Sequence, residues 1–264
     1  MPSQTGTWLY GVTDSAAAIS RGSFEHLTGV GGGKLHLVAE GGLTAVAETV
    51  SLAEFGETAL RRNLEDLGWL ESTARAHHRV IDALANQVQL VPLRLATVYR
   101  EDGNVQAMLA EHAPRLRAAL RRTASRAEWG VKAYADQPAA ARAESSHTDS
   151  RQPAPGSGAA YLRRRRDELA ASQRDRQEAL VSAQQVHAAL ARIAADARLH
   201  PPQSPELTGS TSAMLLNAAY LIDDEHAAGF RKAVDDLRNR LSLRLELTGP
   251  WPPYSFADAG PDLQ

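Results

Sequence analysis

The chain has 264 residues, with 29 Lys and Arg against 31 Asp and Glu, a formal net charge of −2. That balance lacks the basic excess of a nucleic-acid binder. There is no cysteine, which excludes disulfide scaffolds, thiolate metal sites, iron–sulfur clusters and cysteine nucleophiles.

Met1 to Thr13 holds no Lys or Arg and no apolar run long enough for an export signal. The longest apolar stretch, Ala213 to Ile222, is broken by Asn217 and falls short of the roughly 20 residues that span a bilayer. The expectation is a soluble, cytoplasmic protein that does not enter a membrane.

Trp8, Tyr10 and Val12 alternate with Leu9 and Gly11 in a short strand pattern. A glycine run, Gly29 to Gly33 with Val30 inside it, leads into a second strand over Lys34 to Glu40. Gly41-Gly42 reads as a tight turn into a third, Leu43 to Val50. Leu60 to Ala85 has helical spacing, with Leu64, Leu67, Leu70, Val80, Ile81 and Leu84 three and four apart. Leu90 to Tyr99 is strand-like and carries Pro92, which suits an edge or a strand start. Val105, Met108, Leu109, Leu116 and Leu120 form another helical stripe, and Glu128 to Tyr134 alternates as a strand.

Residues 137–158 are rich in Pro and Ser and poor in large apolar residues, the composition of a flexible insert. Residues 159–199 contain neither Gly nor Pro and read as one long, largely exposed helix without a clean heptad. Ala213 to Ile222 reads as a strand, and Asp223-Asp224-Glu225 as the acidic start of a helix lined by Phe230, Val234, Leu237 and Leu241. Leu243, Leu245 and Leu247 then alternate in a last strand. The fold class is α+β with two domains, each a small sheet with packed helices. The N-terminal domain covers 1–125. The C-terminal domain, 126–264, has ferredoxin-like order, with one strand to be found between His200 and Ser212 and an aromatic-proline tail at 249–264.

Candidate chemistry is sparse. Gly33-Lys34 fails the phosphate-loop pattern at Thr28 and Leu35, and the dinucleotide pattern at Lys34. His77 and His78 are adjacent and so diverge by about 100° on a helix; a solvated helix face is the expectation for them. Asp223, Asp224, Glu225 and His226 could bind a hard cation, although the helix start accounts for the same acids. No G-x-S-x-G elbow occurs. Catalytic, cofactor and metal residues are therefore set at none. Two segments qualify as partner-binding: the consecutive arginines Arg163, Arg164, Arg165 and Arg166, and the tail aromatics Trp251, Tyr254 and Phe256.

Several stretches, in this order, resemble the gas vesicle protein family GvpL/GvpF. They are Trp8 to Val12, Val91 to Val98, Glu128 to Lys132, Gly158 to Arg165 and Leu243 to Phe256. Two departures are Leu95-Ala96, where the family pattern has Phe-Gly, and the Pro/Ser insert. The resemblance implies a non-catalytic accessory protein of gas vesicles, a minor shell component or assembly factor. It implies binding to the small, hydrophobic shell protein, with other accessory proteins as further candidate partners, and a place at the vesicle, the gas-facing side of its shell among the candidate positions. A competing reading is a ferredoxin-like small-molecule-binding or enzymatic module seeded by His77, His78, Asp82 and Arg94. A third is an oligomerisation module built on the long helix.

Overall fold

The computed structural model describes residues 4–14, 19, 24, 26–135, 158–203 and 212–257. Two compact units divide the chain: Met1–Glu128 together with Pro250–Gln264, and Trp129–Gly249. The tail, expected with the C-terminal domain, groups with the first unit from Pro250 onward. The physical reason is local. Phe256 is fully buried, Ala257 joins a core of the first unit, and Ser255 donates through its backbone N and its Oγ to the Glu128 carboxylate, each at 2.7 Å.

The first unit is built on a sheet of β1 (Thr5–Thr13), β2 (Leu35–Glu40), β3 (Leu43–Ser51), β4 (Val91–Pro92) and β5 (Val98–Tyr99). Its order is β2-β3-β1-β4, with β5 also paired to β1. The β2–β3 hairpin closes through Gly41 and Gly42, whose φ values of 56° and 76° require residues without a Cβ. Leu90 to Tyr99 becomes two short edge segments, with Pro92 opposite Gly11.

In β1 the register against β3 shifts between Leu9 and Gly11, leaving Tyr10 as a bulge. This corrects the expected simple alternation. Trp8 and Tyr10 face one core with Phe55, Val80, Ile81 and Leu84. Val12 instead joins Leu9 in the opposite core, with Val105, Leu109, Leu116 and Leu120. The sheet is thus covered on both faces. One layer is α1 (Leu52–Phe55), α2 (Glu57–Asn63) and α3 (Leu67–Ala85); the other is α4 (Asp102–Glu111) and α5 (Ala113–Thr123). The helix expected over 60–85 breaks because Asp66 caps a new one, accepting from Gly68 N at 2.9 Å and Trp69 N at 3.1 Å. The next stripe also divides, with Pro114 opening α5.

The second unit holds β6 (Arg126–Ala135, from Trp129), α6 (Gly158–Ala191), β7 (Asp196–Leu199), β8 (Met214–Asp223), α7 (Ala227–Arg240) and β9 (Leu243–Trp251, to Gly249). The sheet order is β7-β8-β6-β9. α6 is one unbroken helix of 34 residues, about 51 Å long at 1.5 Å per residue. It stops at Ala191 rather than Leu199, although no Gly or Pro marks the end. Asp196–Leu199 leaves the helix to pair antiparallel with β8. Sheet pairing there prevails over helix propensity. The strand sought between His200 and Ser212 is thus found earlier; residues 204–211 lie outside the described residues, as do 137–157 of the Pro/Ser insert.

Ala183, Val186 and Leu190 on the second half of α6 pack with Tyr220 and Ile222 of β8, and with Phe230 and Val234 of α7. Asp223 ends β8, and a short 3-10 turn, Asp224–His226, precedes α7 without a side-chain capping hydrogen bond. The expected acidic cap is therefore not formed as such. Instead the His226 ring lies 3.5 Å from the Asp223 carboxylate.

Candidate functional site

The glycine run has a clear structural purpose. Thr28 and Lys34 bridge to close the loop, and Gly29 N donates to Gly33 O at 3.1 Å. The loop folds over the fully buried Glu48 of β3. Gly33 N donates to Glu48 Oε1 at 2.7 Å and Gly31 N at 3.1 Å. Tyr10 Oη donates to Glu48 Oε2 at 2.6 Å and accepts from Val30 N at 2.9 Å. Burial, then the Glu48 hydrogen bond and charge, push the Tyr10 phenol up. A Cβ on Gly29 would sit 2.0 Å from Glu48 Oε2, so this backbone approach needs glycine. The loop is an anion nest whose anion is a side chain of the same protein.

His77 continues this buried network. Trp8 Nε1 donates to His77 Nδ1 at 3.0 Å. That makes Nε2 the protonated nitrogen, which donates to Leu93 O at 3.2 Å. Tyr10 stacks on the ring at 5.2 Å between centroids. Burial pushes the imidazole down to about 4, against the Leu93 hydrogen bond that favours its charged form. The solvated face expected for His77 is corrected: it is a core histidine with both ring nitrogens engaged. As a seed for an active site it is spent, and Asp82 and Arg94 are exposed. Among the described residues, no group of three or more His, Asp or Glu is placed to hold a metal ion.

The three tail aromatics separate. β9 runs through Trp251, and a 3-10 turn follows over Tyr254–Phe256. Phe256 is fully buried. Tyr254 is half-buried, its hydroxyl 3.3 Å from His78 Nδ1, and burial raises its phenol first, with Asp82 and Glu128 adding to it. Trp251 remains 41% exposed, its ring 5.3 Å from that of His78 at a steep angle. A single tail ring therefore faces solvent broadly, braced by His78.

The arginine run lies in the first half of α6, where Arg163, Arg165 and Arg166 are exposed; the Arg164 side chain lies outside the described residues. The same half exposes Tyr161, Leu162 and Leu169. The tail aromatics belong to the first unit and the arginines to the second. Sequence reasoning missed Glu48 and Tyr10. The available signal was one acid between Val46 and Val50 in an otherwise apolar strand, close after a glycine run.

A family model described as gas vesicle synthesis protein GvpL/GvpF matches residues 6–258. Gas vesicle protein L of Streptomyces sp. (strain CB03234) is 42% identical over 229 residues, covering 87% of this chain and 85% of that protein. Gas vesicle protein F of the same organism is 28% identical over 205 residues, covering 74% of this chain and 81% of that protein. Among solved structures, the gas vesicle protein GvpF from Anabaena sp. PCC7120 matches with a TM-score of 0.64 at 23% identity, over 96% of each chain. That likeness shows a shared fold.

Proposed function

This chain belongs to the gas vesicle synthesis protein GvpL/GvpF family, and from that premise we propose that it supports vesicle formation by binding the small, hydrophobic shell protein. The role is accessory and non-catalytic, at the vesicle. The family match across residues 6–258 carries this reading. The identity to a gas vesicle protein L, 42% against 28% for the F protein of the same organism, favours the L-type role.

Physical chemistry supports it. A shell subunit with a water-shedding face aggregates unless that face is covered before assembly. A partner suited to this task offers apolar or aromatic surface rather than a cleft. Trp251 is such a ring, exposed on a braced support. No helix among the described residues is long and apolar enough to cross a membrane.

Co-expression with the small shell protein, followed by pull-down and a measurement of soluble shell protein, tests the reading. Co-purification with a rise in soluble shell protein is expected. No association, with the shell protein still aggregated, would overturn it. In the tail, Trp251→Ala is the informative substitution, because Phe256→Ala would empty a core position. Unchanged capture by a folded Trp251→Ala variant removes the tail from the binding surface.

A further inference from the structure

We draw no further inference here: the strongest candidate, the surface patch of the first unit where the exposed Trp251 ring is braced by His78 beside Tyr254, belongs to the site already described, and nothing in the structure shows what covers it.

Discussion

The glycine run at 29–33 and the arginine run at 163–166 are both dense arrays of hydrogen-bond donors, and they stand in opposite surroundings. The backbone donors of the glycine run close on the buried Glu48, a carboxylate of the same unit, and are themselves part-buried. The side-chain donors of Arg163, Arg165 and Arg166 stand on the exposed half of α6. A donor array that meets its own acceptor stabilises the fold. The arginines stand instead on a solvated helix surface, where charge contacts are worth little. The first array should fail as a stability defect when altered, and the second should leave stability almost unchanged.

The largest effect is expected at Glu48. Glu48→Ala removes the acceptor for Gly31 N, Gly33 N and Tyr10 Oη together and leaves the buried Tyr10 hydroxyl and two part-buried N–H groups without it, at a cost of about 2–3 kcal/mol. Glu48→Gln keeps one acceptor oxygen and should lose less. Chemical denaturation monitored by Trp fluorescence measures both. An Ala variant within about 1 kcal/mol of the parent would mean that the loop donors find water instead, and the contrast with α6 would lose its buried half.

His77 gives the next effect, read against pH. Its imidazole is held near 4, below the ordinary 6.5. Between those values the unfolded chain takes up a proton that the folded chain refuses. The stabilising contribution is therefore complete above about 6.5 and is lost as pH falls towards 4, on the order of 3 kcal/mol in all. His77→Gln should flatten this part of the stability–pH curve. Parallel curves for parent and variant between pH 7 and 4.5 would show that His77 is not held neutral by its buried site.

A smaller effect, of opposite sign, is expected at Ala96. It adopts a φ of 65°, the left-handed region that favours glycine. The turn is fixed around it, since Thr97 Oγ1 donates to Arg94 O and Leu9 N to Thr97 O. Ala96→Gly should therefore stabilise the fold by about 1 kcal/mol, the relieved strain outweighing the added entropy of the unfolded chain. A destabilised variant would mean that the Ala96 methyl contributes packing worth more than the strain.

This position also shows where sequence reading succeeds and stops. Leu95-Ala96 stood out as a departure from the Phe-Gly pattern, and the positive φ supplies the physical meaning. Strands and helices with clean period two or three-and-a-half were legible: Leu43–Ser51, Met214–Asp223 and α7 all lie within a residue or two of expectation. The bulge at Tyr10 was not, because a bulge shifts register against a partner strand and leaves no mark in one strand's own alternation. Asp196–Leu199 read as helix because its propensity is helical; its strand character comes from β8. For the partner-binding residues, spacing alone could not tell buried Phe256 from exposed Trp251, since both sit in the same proline-rich run.

The smallest stability effects belong to α6, and their smallness is the sharpest form of the comparison. Arg166→Ala and Leu169→Ala remove exposed side chains from a helix anchored further along by Ala183, Val186 and Leu190. Alanine is the best helix former, so neither change costs propensity. Each should lie within about 0.5 kcal/mol of the parent in chemical denaturation. Val186→Ala, on the buried face of the same helix, should cost about 1–3 kcal/mol through lost transfer free energy and a cavity. If Leu169→Ala destabilised the protein as much as Val186→Ala, the exposed leucines of α6 would be structural surface, and the contrast between the two halves of the helix would fall. A flat response at Leu169 beside a steep one at Val186 would divide α6 into an anchored second half that holds the fold and a first half whose exposed leucines and arginines contribute nothing to it.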